Sequence, residues 1–285
     1  MTETGGPAVA ALSLGKRFQT GWWRRRDVTA LEDLTLTVVH GEVFGLLGPN
    51  GSGKTTTIKL LLGFLFPTSG RAEVLGRPAG DPAAKARLGF LPEETYLHPF
   101  LTAEETLDFH ASLFGIPPAR RREVTARLLD RVGIRPADRT RRIREFSKGM
   151  ARRVAFAQAL VNDPDLLILD EPTSGMDPLG TAEMKQLILD LKAQGKTLLI
   201  SSHLLADMEA VCDRIAILHQ GRLIETGRVR DLLTLTDETW IRSRGAPEET
   251  LRKAAALLPE ARLEHPTETL EAHFLKVIRS QRRTP

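Results

Sequence analysis

The chain has 285 residues, enough for one large domain or two smaller ones with a substantial core. Its 41% hydrophobic and 27% charged content is ordinary for a soluble protein and argues against a disordered or fibrous chain. Its 40 basic and 36 acidic residues leave a net charge of +4, too small to require a nucleic-acid partner.

The single cysteine, Cys212, excludes an internal disulfide and suits a reducing compartment. In a helical run beside Val211 it is expected to be a small buried apolar residue rather than a nucleophile. We expect no signal peptide, because no basic segment followed by an apolar core opens the chain. The longest apolar run, residues 60–66, is too short to span a bilayer, so any action at a membrane would require another polypeptide.

The first predicted elements are two strands, residues 9–14 and 34–39, on either side of a hairpin. Between them, residues 20–27 look like an inserted loop that contains two tryptophans and three consecutive arginines. Two interpretations are open. The loop is either a solvated hairpin tip with its tryptophans folded back, or a contact with the membrane surface, where Trp and Arg suit the headgroup region.

A phosphate-binding pattern follows. Residues 42–47 predict a buried strand and residues 54–66 a helix, and the segment between them matches G-x-x-x-x-G-K-[ST] at every fixed position. The segment comprises Gly48, Pro49, Asn50, Gly51, Ser52, Gly53, Lys54 and Thr55, followed by Thr56. The alternative, a chance match in a glycine-rich turn, is disfavoured by the strand before it and the helix after it.

The pattern predicts a specific chemistry. Its glycines let the backbone curl so that successive N–H groups face a phosphate, and the helix that opens there adds its positive dipole end. Lys54 can then reach the outer phosphates, and the hydroxyl of Thr55 can ligate Mg²⁺. The sequence therefore predicts that the chain binds a nucleoside triphosphate.

Beyond strands predicted at residues 70–75 and 87–91, the pattern becomes helical from about 102 to 161. Thr102 predicts a helix N-cap with a glutamate three residues later, and Pro117-Pro118 and Gly133 predict the limits of a second helix. Ser147 precedes a helix predicted over residues 151–160. By itself this serine is best explained as an N-cap, although the same helix end could also hold a γ-phosphate.

A second candidate site lies at the end of a predicted buried strand, residues 166–169. Asp170 follows it directly and is placed to bind Mg²⁺, and Glu171 comes next, where it can polarise an attacking water. A solvated turn is the competing explanation for paired acids, but a fully apolar strand leading into them favours a site.

Three more strands are predicted at residues 197–201, 215–218 and 223–225, with helical patterns between several of them. This alternation indicates an α/β fold with a mainly parallel sheet, interrupted by the helical insertion. We expect a main domain over residues 8–230 and a small C-terminal extension over 231–285. The extension has a possible strand at Trp240 and helices near 248–258 and 270–278.

At this point the sequence resembles ATP-binding cassette (ABC) ATPases, in motif order and spacing, over residues 8–230. The motifs are Gly48–Thr55, Ser147-Lys148-Gly149, Asp170-Glu171-Pro172, Ser174-Gly175-Met176-Asp177 and Ser202-His203. The chain looks most like the stand-alone nucleotide-binding subunit of an exporter. The resemblance implies a P-loop NTPase fold with a mainly parallel sheet, an antiparallel β subdomain and a helical insertion.

The resemblance also implies roles for individual residues. Phe18 stands where the family stacks an aromatic ring on adenine, although a core phenylalanine is a rival explanation. Ser147 and Gly149 match the signature motif, which contacts the nucleotide of the opposite subunit, and Asp177 matches an acid that joins the two sites. His203 matches the switch histidine that orients the water with Glu171.

Two departures from the family pattern concern the site. The signature reads Phe-Ser-Lys-Gly-Met instead of Leu-Ser-Gly-Gly-Gln, so that Lys148 adds a positive charge. Glu93 stands where the family has a glutamine; it offers an oxygen to Mg²⁺ and adds a negative charge. Thr55, Asp170 and Glu93 are therefore the expected metal ligands.

By resemblance, the chain is expected to hydrolyse MgATP in a head-to-tail dimer, most simply a homodimer, and to drive a separate transmembrane permease subunit. It would then lie at the cytoplasmic face of the membrane, with no nucleic-acid partner expected.

The alternative function is a soluble ABC switch acting on ribosomes or DNA. Six arginines are compatible with this alternative: Arg139, Arg141, Arg142, Arg144, Arg152 and Arg153. A rim for the phosphate loop or a face for the membrane partner is the preferred role of these arginines. A purely structural nucleotide-binding subunit would be expected to lack Glu171 or His203.

Overall fold

A computed structural model describes residues 6–20, 26–234, 240–242, 262–264, 267–270, 273 and 276. The chain divides into two compact units, residues 1–226 and 227–285. The first ten strands are β1 (Val9–Thr20), β2 (Arg26–Val38), β3 (Val43–Leu47), β4 (Ser69–Val74), β5 (Arg77–Pro78), β6 (Leu88–Leu91), β7 (Leu166–Asp170), β8 (Thr197–Ser202), β9 (Arg214–His219) and β10 (Arg222–Arg228).

An antiparallel sheet is formed in the order β2-β1-β4-β5. Its first two strands are longer than the predicted residues 9–14 and 34–39, and Thr20, Arg26 and Asp27 of the predicted loop are paired strand. The pairing register shifts near Ser13 and Asp33, both of which have a left-handed backbone. Such bulges interrupt the alternation of apolar and polar residues from which the two strands were predicted. The tip, residues 21–25 with both tryptophans, lies outside the described residues.

The second sheet has six strands in the order β10-β9-β3-β8-β7-β6, and the pairs within β9-β3-β8-β7-β6 are parallel. The predicted α/β class with a mainly parallel sheet is confirmed. The register aligns Leu47 with Ser202, Ser201 with Asp170, and Leu169 with Leu91. The loops that follow β3, β8, β7 and β6 therefore leave the same edge of the sheet, where ligands of such sheets bind.

The helices are α1 (Lys54–Leu61), α2 (Pro82–Lys85), α3 (Ala103–Leu113), α4 (Pro118–Arg131), α5 (Lys148–Ala159), α6 (Pro178–Ala193) and α7 (Leu205–Val211). The prediction that α1 extends to residue 66 is wrong. Gly63 takes a left-handed conformation with φ of 69° and ends the helix, leaving Phe64 and Phe66 exposed. Helix α1 contacts β2, β4 and β7, so its apolar side lies between the two sheets.

Within the helical insertion, the predicted start signals are confirmed. The Thr102 hydroxyl accepts from the Glu105 N–H at 3.1 Å, and the Thr102 N–H donates to the Glu105 carboxylate at 2.8 Å, which forms a capping box. Helix α4 begins at Pro118, and Gly133, with φ of 71°, lies two residues beyond its end. Helix α5 begins three residues earlier than the predicted residue 151, with Ser147 as its N-cap.

The core of the first unit is almost entirely aliphatic. Leu14, Leu34, Leu46 and Ile58 are fully buried in one cluster that joins the two sheets and α1. Each such side chain contributes about 1.5–3 kcal/mol relative to an exposed one. Cys212 is buried as expected, and burial raises the pKa of its thiol, so it acts as a packing residue.

The second unit contains α8 (Val229–Leu233) and a two-stranded antiparallel sheet of β11 (Trp240–Arg242) and β12 (Arg262–Glu264). The predicted strand at Trp240 is confirmed. The predicted helix at 248–258 lies outside the described residues, as does most of that at 270–278, of which Leu270, His273 and Lys276 are helical. Among the helices that the structure describes, none is both long and apolar enough to cross a membrane.

Candidate ATP site

The phosphate loop connects β3 to α1 and encloses a cavity of about 250 Å³. A side chain at Gly48 would overlap the Leu218 carbonyl and the Ser52 hydroxyl, and Gly53 has φ of 109°, so both positions need glycine. The cavity is lined by Val28, Thr29, Ala30, Pro49, Asn50, Gly51, Ser52, Gly53, Lys54, Thr55, Thr56, Glu93 and Glu171. The predicted loop residues from Pro49 to Thr56 therefore lie together with two of the predicted acids.

Lys54 is folded into its own loop. Its ammonium donates to the Gly48 carbonyl at 2.6 Å and lies 3.8 Å from Oε1 of Glu171. Burial lowers the pKa of Lys54, while the nearby carboxylates of Glu171, Asp170 and Glu93 oppose that shift. The lysine is thus held where it can exchange a loop carbonyl for a phosphate oxygen.

Glu171 is buried between Lys54 and His203. Its second oxygen, Oε2, lies 2.9 Å from Nδ1 of His203 and accepts from the Ser202 hydroxyl at 3.3 Å. A hydrogen bond to the ionised carboxylate requires the proton on this ring nitrogen. The backbone of Glu171 is left-handed, with φ of 49°, at a cost of about 1–2 kcal/mol. The surrounding structure must therefore hold this turn in place.

Asp170 ends strand β7 and is buried. The hydroxyl of Ser201, its neighbour on β8, donates to Oδ1. Burial raises the pKa of Asp170, and the hydrogen bond from Ser201 opposes the rise. Asp170 thus lies beside Glu171 at the strand end, as the sequence predicted, whereas Glu93 follows β6 and lines the cavity itself.

Five predicted nucleotide contacts do not line this cavity: Phe18, Gly48, Ser147, Gly149 and Asp177. Ser147 caps α5 by accepting from the Met150 N–H at 3.2 Å, and Asp177 caps α6 by accepting from the Gly180 N–H at 2.6 Å. The ammonium of Lys16 lies 5.2 Å from the centre of the Phe18 ring. Within one chain, the signature motif and the phosphate loop are therefore not brought together.

Two site residues were missed by the sequence analysis. Ser201 immediately precedes the Ser202-His203 motif, but its partner Asp170 lies on a neighbouring strand, which the sequence does not reveal. Arg152 was grouped with surface arginines, but it is only 4% exposed and bonds to the loops that contain Glu93 and Glu171. The shared role proposed for the six arginines is wrong for Arg152 and for Arg139, which is buried against Asp130 and the Ile134 carbonyl.

This arrangement combines a loop that cradles phosphates, a lysine that can neutralise them, and a buried carboxylate held by a histidine. It can bind the phosphates of a nucleotide and position water for attack on the terminal one. The fold and this site define a P-loop ATPase.

Comparison with known proteins agrees with this class. The family model described as ABC transporter matches residues 31–174. An uncharacterized ABC transporter ATP-binding protein of Nostoc sp. is 46% identical over 90% of this chain and 78% of its own length. A Nod factor export ATP-binding protein I of Burkholderia orbicola is 40% identical over 74% of this chain and 69% of its own length. A solved ATP-binding subunit of an ABC transporter shares 27% identity at a TM-score of 0.72, over 95% of this chain and 99% of that one.

The chain belongs to the ABC transporter family. It is an ATP-binding subunit of an ABC transporter and an ATPase. Cassettes of this family dimerise and work with transmembrane subunits.

Proposed function

We propose that Glu171 is the residue that orients or deprotonates the attacking water and that His203 holds it in place. The observation that carries this proposal is the buried Glu171 carboxylate, 2.9 Å from His203 and 3.8 Å from Lys54 beside the phosphate loop. Water attacks the γ-phosphorus of ATP in line with the bond to the β–γ bridging oxygen, which breaks to release ADP and phosphate. Lys54 and the loop N–H groups bind the phosphates.

A magnesium ion fits the donor set at this site. Thr55 and Glu93 line the cavity and Asp170 precedes Glu171, so a hydroxyl and two carboxylates are available, and Mg²⁺ prefers such oxygen ligands. Bound there, Mg²⁺ would neutralise charge on the β- and γ-phosphates. The described residues contain no cluster of three or more His, Cys, Asp or Glu side chains suited to a metal, and Mg²⁺ in such sites is held largely by phosphates and water.

The complete site is proposed to form between two copies of the chain. Ser147 and Gly149 lie at the N-terminus of α5 and do not line the cavity of their own chain. In a head-to-tail homodimer, each α5 would supply its N–H groups and the Lys148 charge to the nucleotide of the other copy. Asp177 would link the two sites across the dimer. Phe18 would stack on adenine after the Lys16 ammonium moves away from the face of its ring.

A transmembrane permease subunit is proposed to dock on exposed aromatic residues of the first unit. Phe66 and Tyr96 are each 82% exposed, and Phe100 and Phe109 are also exposed. They belong to the turn after α1, the loop after β6 and helix α3, and Tyr96 and Phe100 are in the same loop as Glu93. Exposed aromatic side chains are typical of binding surfaces. The chain would then lie at the cytoplasmic face of the membrane.

Export is the proposed direction of transport, because the Burkholderia relative is named for Nod factor export. The main domain is proposed to cover residues 8–230 and the extension residues 231–285. A soluble switch is not favoured, because the relatives are transporter proteins and two of the arginines that suggested nucleic acid are buried.

The test is ATPase activity and size-exclusion chromatography in MgATP for wild type, Glu171→Gln and a control, Glu73→Gln, an exposed acid on β4. Glu171→Gln should lower kcat at least about 100-fold, as expected for loss of a general base, and should dimerise with ATP. Glu73→Gln should match wild type. Normal hydrolysis by Glu171→Gln would show that the base is misassigned. Absence of any dimer would refute the head-to-tail arrangement for the isolated subunit.

A further inference from the structure

Arg152 lies on the second turn of α5 and contacts two other segments of the chain. Its Nη2 donates to the carbonyls of Asp170 at 2.9 Å and Glu171 at 2.8 Å, and its Nε donates to that of Pro172 at 3.2 Å. Its Nη1 donates to the loop after β6, where the acceptors are the Pro92 carbonyl, the Glu93 carbonyl at 2.8 Å and the Thr95 hydroxyl at 3.1 Å. One guanidinium thus links α5 to the two loops that carry the acids of the site.

The acceptors show what this side chain does. Five of the six are main-chain carbonyl oxygens, so Arg152 fixes backbone rather than neutralising a carboxylate in direct contact. Three of those carbonyls belong to the turn around Glu171, whose left-handed backbone needs such support. Burial lowers the pKa of Arg152 to about 10, so it keeps its charge and all five N–H donors at neutral pH.

We propose that Arg152 is a positioning residue for hydrolysis: it holds the Glu171 turn and the Glu93 loop in register with each other and with α5. The inference rests on the proposed function, because Arg152 acts through Glu171. Ser147 and Gly149 lie at the N-terminal end of α5, which is proposed to contact the nucleotide of the other copy. Arg152 therefore connects that helix end to Glu171, which is proposed to act on the nucleotide of its own chain. The planar fork of arginine is required, because the compact ammonium of lysine has only three donors and cannot reach both loops.

The test compares Arg152→Gln and Arg152→Lys with Arg139→Gln. Arg139 is the matched control, because it is equally a buried arginine, 8% exposed, but its partners lie in the helical insertion. Steady-state ATPase assays give kcat and KM, a fluorescent ATP analogue gives binding affinity, and thermal unfolding gives Tm. All assays run well below the lowest Tm.

Arg152→Gln should lower kcat about 10- to 100-fold, as a small misplacement of a catalytic group does, with nucleotide affinity within about threefold of wild type. Arg139→Gln should lower Tm but leave kcat within about threefold. Arg152→Lys should remain at least about fivefold below wild type, and it carries the test if the glutamine variant does not fold. A wild-type kcat in Arg152→Lys would overturn the proposal. So would a loss of kcat in Arg139→Gln equal to that in Arg152→Gln.

A double-mutant cycle adds a readout that a merely structural role would not produce. If Arg152 acts through Glu171, then Arg152→Gln should change the single-turnover rate of Glu171→Gln less than about twofold. If the double variant instead loses rate by the product of the two single-variant factors, the inference is overturned. Lack of ATP hydrolysis by wild type would instead contradict the proposed function, so the two failures are distinguishable.

Discussion

The two carboxylate oxygens of Glu171 contact different residues. Lys54 faces Oε1, and His203 together with the Ser202 hydroxyl faces Oε2. A phosphate that attracts Lys54 would weaken the first of these interactions and leave the second intact. Oε1 of Glu171 would then be available to accept a proton from water, while His203 would still fix the orientation of the carboxylate. The availability of the proposed base would therefore depend on bound nucleotide.

Gly48→Ala tests how closely the phosphate loop is packed. The added methyl group would overlap the Leu218 carbonyl and the Ser52 hydroxyl. Overpacking of this kind costs about 1–3 kcal/mol, so we expect ATP affinity to fall roughly 5- to 150-fold if the loop distorts by that amount. The measurement is a titration with a fluorescent ATP analogue.

Gly6→Ala is the control for Gly48→Ala, because a methyl group there meets nothing within 4 Å. Unchanged affinity in Gly48→Ala would show that the loop can shift away from β9 without loss, contrary to the close approach described above.

The sequence could predict that Lys54, Glu171 and His203 belong to one site, because each lies in a contiguous motif, and the structure brings the three side chains together. Arg152 and Ser201 could not be assigned in the same way. Their partners are 18 to 60 residues away in the chain and are mostly main-chain carbonyls or a neighbouring strand, which leave no pattern in the sequence. The burial of an arginine is likewise decided by tertiary packing and not by its neighbours in sequence.

At the scale of elements, local signals predicted helix ends well where side chains form the cap. Thr102 with Glu105, Pro118 and Ser147 mark starts that the structure confirms. Prediction failed for the end of α1, where an apolar run continued past Gly63, and for the hairpin strands, where bulges hid the alternation. Burial periodicity alone does not distinguish a helix from the exposed turn that follows it.

Thr102→Ala tests the contribution of the capping box to the helical insertion. Loss of an N-cap costs about 1 kcal/mol, so Tm should fall by about 2–4 °C in thermal unfolding. Ser112→Ala is the control, because that hydroxyl donates to the Phe109 carbonyl at the other end of α3 and caps no N–H group. Equal shifts in the two variants would refute a specific role for the cap.

For the whole molecule, the parallel sheet explains why distant motifs meet. Strands β3, β8 and β7 are adjacent in the sheet, so the phosphate loop, Glu171 and His203 emerge side by side, although the loop is more than 100 residues from the other two in the chain. The same topology places the start of α5 outside that cavity. The phosphate loop and the signature helix therefore lie apart within one chain, and in the proposed head-to-tail dimer each would meet its counterpart on the second copy.

Mixing two inactive variants tests this arrangement. Lys54→Ala removes the phosphate lysine and Ser147→Arg blocks the signature helix, so each homodimer lacks a working site. In a mixed dimer, the phosphate loop of the Ser147→Arg chain meets the intact signature of the Lys54→Ala chain. With random pairing at equal amounts, half of the dimers are mixed and each has one intact site of two, so ATPase activity should recover to about a quarter of wild type.

The control for this experiment mixes Lys54→Ala with Glu171→Gln. Both of these changes lie on the half-site of the phosphate loop, so the mixed dimer has no intact site and should stay inactive. Recovery in the first mixture and not in the second requires that the signature helix act on the nucleotide of the other copy. If the first mixture also stays inactive while mixed dimers are present by chromatography, Ser147 acts within its own chain or both sites must be intact together, and the proposal of independent composite sites is wrong.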